Sequence, residues 1–116
     1  MRTDAKPLIW LQDEIKTPSF AAPGRSEAGT LLRRLQLGDR LGMPHSRALP
    51  AIGASCHELR LHRSDFSRRI VYFIDHEAIL ILDVFAKHGR ATPAAVIEQC
   101  RKRLAAYRLI LEGARQ

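Results

Sequence analysis

The chain has 116 residues, with nineteen Lys and Arg against twelve Asp and Glu, a formal net charge of +7. A chain of this length buries about two-thirds of its unfolded surface, enough for one hydrophobic core. Residues 1–116 are therefore expected to form a single domain, with its core over about residues 7–111. The longest apolar run, Ala78–Val84, is broken by Asp83 and is strand-sized, far from the roughly 18 residues of a membrane-spanning helix. Met1–Lys6 mixes charges of both signs with no apolar stretch behind it, unlike a secretory signal, so a cytoplasmic protein with no membrane partner is expected. Aromatic residues make up 6% of the chain, too few for a platform that stacks successive bases of a single strand.

In chain order, Leu8-Ile9-Trp10-Leu11 reads as a short edge strand, and Thr17–Gly24, with Pro18 and Pro23, as a loop. A helix is predicted from about Ser26, which can cap it, with Glu27 complementing the dipole of its first turn. Ala28, Leu31, Leu32 and Leu35 recur at the helical period and form one apolar face, with Arg33 and Arg34 pointing away and Gly38 as the stop. Gly42–Gly53, with Pro44 and Pro50, reads as a second loop.

The period then changes to two. His57–Arg63 alternates polar and apolar residues, Ser64-Asp65 supplies a turn, and Arg69–Ile74 is rich in β-branched and aromatic residues. After a turn at Asp75-His76-Glu77, Ala78–Phe85 is almost wholly apolar and reads as a strand covered on both faces. Thr92-Pro93 then opens a second helix, Thr as the cap and Pro at the first helical position. Val96, Ile97, Cys100, Leu104, Tyr107 and Leu111 form its apolar stripe, and Arg101, Lys102, Arg103 and Arg108 fall mostly on the other face. The expected fold is a small α+β domain, an antiparallel sheet of about four strands with helices packed on one face.

The basic excess is spread through the chain. Residues 1–56 hold eight basic and five acidic residues, and residues 57–116 hold eleven and seven. The charge thus belongs to the folded body, where it favours polyanions such as nucleic acid. On the strand 57–63, Leu59 and Leu61 share one face and Glu58, Arg60 and His62 the other. In an antiparallel meander the start of the second strand and the end of the third lie at one edge. Arg60, Arg69, Lys87 and His88 can therefore converge in one basic patch, with Glu58 free to pair with a neighbouring arginine. Cys56 and Cys100 have no second cysteine nearby, so no zinc ribbon or redox pair is formed; both thiols are read as reduced, and no metal or cofactor is expected.

The stretches Leu41-Gly42-Met43-Pro44-His45-Ser46-Arg47, His57-Glu58-Leu59-Arg60, Arg69-Ile70-Val71-Tyr72-Phe73 and Phe85-Ala86-Lys87 occur in order, followed by Thr92-Pro93 and Arg101-Lys102-Arg103-Leu104. Together, over residues 7 to 108, they resemble the RelE/HigB family of toxins of type II toxin–antitoxin systems, in its phage-derived branch. The resemblance implies a metal-independent, ribosome-dependent endoribonuclease that cuts messenger RNA and so inhibits translation. The ribose 2′-hydroxyl attacks the adjacent phosphate, leaving a cyclic phosphate and a free 5′-hydroxyl. It places the catalytic positions at Arg60, Arg69, Lys87 and His88, with His45, Arg47, His57, His62, Arg68 and Arg90 as RNA contacts. The chain departs from the Phe-x-Lys-Lys-Thr of close relatives at Phe85-Ala86-Lys87-His88-Gly89, a change that implies reduced activity, and the tyrosine that some members carry near the last helix has no match here, Tyr107 lying too far along, so the general acid and base stay unassigned. The implied partners are a cognate helix-turn-helix antitoxin, in a hetero-oligomeric complex, and messenger RNA with the decoding region of the ribosome (16S rRNA). Two other readings stay open: a ParE-like gyrase poison, and a degenerate toxin that serves only as an antitoxin-binding repressor partner.

Overall fold

A computed structural model describes residues 5–11, 22–61, 68–86 and 91–114. The elements are β1 (Leu8–Trp10), α1 (Ala22–Gln36), β2 (Ser46–Ala48), β3 (Cys56–Arg60), β4 (Arg68–Ile74), β5 (Ile79–Ala86) and α2 (Ala94–Ala114). The five strands form one sheet in the order β1-β5-β4-β3-β2. The β2–β5 segment is an antiparallel meander, and β1 pairs parallel with β5, Leu8 opposite Ile79 and Trp10 opposite Ile81. The fold is α+β, and the sheet is mixed with five strands where an antiparallel sheet of about four was expected.

The extra strand is β2, inside the stretch read as a loop. Three residues between Pro44 and Pro50 are too few to show a period of two, yet Ser46, Arg47 and Ala48 pair with Leu59, Glu58 and His57. Helix α1 starts a turn before Ser26 and runs through Pro23 and Gly24. Proline is tolerated there because a first-turn N–H has no helical acceptor to lose. Its end is as expected: Gly38 adopts φ +97°, its N–H donates to Leu35 O, and the Asp39 N–H donates to Arg34 O, the paired bonds of a Schellman cap.

The helices do not share a face. Along β5, Ile79, Leu80, Ile81 and Leu82 are all fully buried. Ile79 and Ile81 pack with Leu59, Leu61, Ile70 and Tyr72 against Ala28, Leu31, Leu32 and Leu35 of α1. Leu80 and Leu82 pack with Cys56 and Val71 against Cys100 and Leu104 of α2, on the opposite side. Helices on one face are thus corrected to one helix on each. A strand without a polar face leaves apolar surface on both sides, and each side needs its own cover.

Asp83 is the single charge in this strand, and the pairing with β4 is irregular beside it. Tyr72 pairs with Ile81 and Val71 with Asp83, which leaves Leu82 as the extra residue of a bulge. Leu80→Ala is expected to lower the unfolding free energy by about 3 kcal/mol in a urea titration. Leu109→Ala, on the outer face of α2 where Leu109 is 68% exposed, is expected to change it by less than about 0.5 kcal/mol.

Candidate active site: an arginine row beside a buried carboxylate

Register and alternation place the polar residues of the α2-covered face in two rows at one end of the sheet. In the outer row Arg60 of β3 stands opposite Arg69 of β4, and Arg69 opposite Phe85 of β5. In the inner row Arg47, Glu58, Val71 and Asp83 follow one another across four strands.

Glu58 is the centre of this arrangement and has no exposed surface. The Thr92 hydroxyl donates to its Oε1 at 2.9 Å. Arg47 Nη2 donates to its Oε2 at 3.2 Å and also reaches Thr92 Oγ1 at 3.3 Å. Arg69 Nε lies 4.0 Å from the same Oε2, with its Nη1 donating to the Arg68 carbonyl at 2.9 Å. Thr92 therefore gives its hydroxyl to the sheet and does not cap α2. The first helical acceptor is the Pro93 carbonyl, which takes the Ile97 N–H, so the helix starts one residue later than Thr92-Pro93 suggested.

A second, peripheral pair lies beside the first. Arg103 Nη1 donates to the Leu82 carbonyl at 2.6 Å and sits 3.4 Å from Asp83 Oδ1. Arg103 had been placed with the wet face of α2, but it stands three residues after buried Cys100 and seven after Val96, on the edge of the packed stripe.

Among the described residues, Arg47 and Arg69 face Glu58 and Arg60 stands opposite Arg69, three arginines to one carboxylate. Burial is the main effect that pushes Arg69 below the ordinary arginine range; Glu58 opposes it, and Arg60 and Arg47 add to it by repulsion. Arginine remains a cation at neutral pH, so the excess persists there. The Nε–H groups of Arg47 and Arg60 are buried and have no hydrogen-bond partner among the described residues. Helix α2 begins beside this cluster with no acidic residue in its first turn, and its dipole adds to the positive potential. Planar guanidinium donors held at fixed spacing suit a phosphate group.

The structure brings Arg60, Arg69 and Arg47 together. His45 touches the group through its backbone, its carbonyl accepting the Arg60 N–H, and Arg60 Nη1 lies 3.6 Å from Met43 Sδ. Arg68 alternates with Arg69 along β4 and belongs to the other face. His57 does too: its ring stacks on Tyr72 with centroids 5.3 Å apart. There it lines a cleft of about 160 Å³ with Lys6, Asp39, Arg40 and Ser55, across the sheet from the arginines. His62, Lys87, His88 and Arg90 lie outside the described residues. The described ends that flank residues 87–90 are Ala86, opposite Arg68, and Ala91, next to Thr92. Thr92, Asp83 and Arg103 were missed as site residues, and for Asp83 the signal was present: one carboxylate in an otherwise apolar strand.

Among the described residues no three His, Cys, Asp or Glu side chains are placed to hold a metal ion together, and no helix is long and apolar enough to cross a membrane. Both thiols are buried under α2. Burial pushes Cys56 up to about 11, against the pull of Arg108, and Cys100 up to about 12, with Asp83 adding and Arg103 opposing. Neither is a thiolate nucleophile at neutral pH.

The fold and the site define a small basic α+β domain with an arginine cluster around a buried carboxylate at one end of its sheet. The chain belongs to the family of phage-derived Gp49-like proteins (DUF891), whose model matches residues 18–105. That family is a RelE/HigB-like type of toxin from toxin–antitoxin systems, which implies an antitoxin as partner. No curated protein matches the chain.

The thiols set an alkaline limit on stability. A thiol ionises near 9 when unshifted, so above that pH the unfolded chain loses protons that the folded chain retains. The contribution is complete below pH 9 and is lost as pH rises through 11 to 12. Thermal unfolding is expected at falling temperature from pH 9 upward, with a flatter profile in a Cys56→Ala/Cys100→Ala variant. Neither thiol should be alkylated in the native protein at pH 8.

Proposed function

We propose that the chain is a HigB-like toxin that cuts messenger RNA on the ribosome, without a resident metal, and is neutralised by a helix-turn-helix antitoxin encoded beside it. The observation that carries this reading is the pairing of Arg60 with Arg69 on one face of the sheet, in a cluster whose positive charge exceeds its negative charge. A phosphodiester seated there would meet the guanidiniums of Arg60 and Arg69.

In the proposed reaction the ribose 2′-oxygen forms a bond to phosphorus, the bond from phosphorus to the 5′-oxygen breaks, and the leaving oxygen takes up a proton. Negative charge grows on the non-bridging oxygens in the transition state. Arg60 and Arg69, already oriented by the sheet, stabilise that charge without reorganising. Lys87 and His88 follow β5 directly in the chain and are proposed to hold the substrate and to supply or take the proton, a role open to histidine near neutral pH. Arg47 supports the site through Glu58 and Thr92.

The family membership supports toxicity, and the arginine row favours RNA cleavage over gyrase poisoning. Arg69→Ala is expected to abolish growth inhibition on expression without antitoxin and to lower message cleavage by at least about 100-fold, with the far-ultraviolet circular dichroism unchanged. Retained toxicity in the folded variant would contradict the assignment. DNA damage without message cleavage after brief expression of the wild type would favour the gyrase reading.

A further inference from the structure

Glu58 has no direct part in the reaction just described, and its environment asks for an account. An ionised carboxylate is unfavourable in an interior unless charged or donor groups surround it. Val71, beside it in the same row, shows that an apolar side chain suits this depth of the sheet. Packing therefore does not require a charge at position 58.

Its partners come from three separate parts of the chain. Arg47 belongs to β2, Arg69 to β4, and Thr92 to the entry of α2. Arg47, Glu58 and Thr92 close a ring of three hydrogen bonds at 3.2, 3.3 and 2.9 Å, with Arg69 Nε 4.0 Å from the shared Oε2. With no exposed surface, Glu58 does not meet a substrate and acts through the groups packed around it. Without its charge, Arg47, Arg60 and Arg69 repel one another across a poorly solvated space.

We propose that Glu58 is a positioning residue: its carboxylate sets the direction in which Arg47 and Arg69 present their remaining donors beside Arg60, and through Thr92 it ties the start of α2 to the same point. The proposal rests on the ribonuclease reading for its consequence in catalysis, while the positioning itself is measurable without cleavage.

The test uses the full chain with Glu58→Gln and Glu58→Asp, translated message on ribosomes as substrate, and nitrogen-detected NMR of the arginine side chains. In Glu58→Gln the charge is lost at nearly constant volume. kcat should fall about 100-fold, while KM stays within about twofold. Glu58→Asp keeps the charge but withdraws it by one methylene, and kcat should fall about tenfold at unchanged KM. A purely structural role would instead lower the folded fraction and leave kcat per folded molecule unaltered.

In the spectra, guanidinium rotation of Arg47, which donates directly to Glu58, should be faster in folded Glu58→Gln than in the wild type, and the Arg69 resonances should shift. A wild type that cuts no message while these resonances respond as stated would refute the ribonuclease reading and support the positioning. Unchanged arginine resonances, or a folded Glu58→Gln that cuts at the wild-type rate, would overturn the proposal. If Glu58→Gln does not fold, Glu58→Asp decides: wild-type kcat there overturns the proposal, and the tenfold loss upholds it.

Discussion

The constraint on which the rest of this molecule depends is the run Ile79-Leu80-Ile81-Leu82, a strand with no polar face. Water must be kept from both sides of it, so one helix lies over each side. That single requirement sets the layer order, with α1 against Ile79 and Ile81 and α2 against Leu80 and Leu82. It also decides where polar chemistry is possible. The α2-covered face is apolar through Val71 and Leu82, and changes character at Glu58, Asp83, Arg60 and Arg69, where α2 begins. The arginine cluster lies at the end of the core.

Charge balance at that end connects packing to function. Arg103 pairs with Asp83. Among the described residues Glu58 is one carboxylate beside Arg47, Arg60 and Arg69, and the remainder is what a phosphodiester is proposed to neutralise. A partly compensated cluster has two advantages over bare cations. The guanidiniums are held in fixed orientations before the substrate arrives, and burial strengthens their interaction with developing negative charge. An antitoxin that brings carboxylates to the same rim would use the same remainder, which fits the pairing of toxin and antitoxin that the family implies.

Much of the fold could be read from the residues, and the limits have physical causes. The stripe Ala28, Leu31, Leu32, Leu35, the alternation at Leu59 and Leu61, and the unbroken run of β5 each state their period plainly, and the structure uses them as stated. Gly38 marks the end of α1 because a left-handed residue is needed there. β2 escaped because three residues cannot display a period. The side on which each helix packs escaped because periodicity describes an element's own face and not its partner. In the site, Arg60 and Arg69 were legible from strand position. Their tie to Glu58 was only half legible, since alternation placed Glu58 with Arg60 but not Thr92, 34 residues away, against it. Arg103 was misassigned because a residue at the edge of a helical stripe can turn either way, and only the Asp83 carboxylate and the Leu82 carbonyl decide it.

The central claim is that this end of the sheet binds a phosphodiester and promotes its cleavage by the neighbouring 2′-hydroxyl. The most direct measurement is the chemistry of the ends produced when the purified chain is incubated with translating ribosomes and a defined message. Discrete cuts are expected, with a 2′,3′-cyclic phosphate on one fragment and a 5′-hydroxyl on the other. Intact message under conditions where the chain arrests growth, or fragments bearing 5′-phosphate ends, would contradict it.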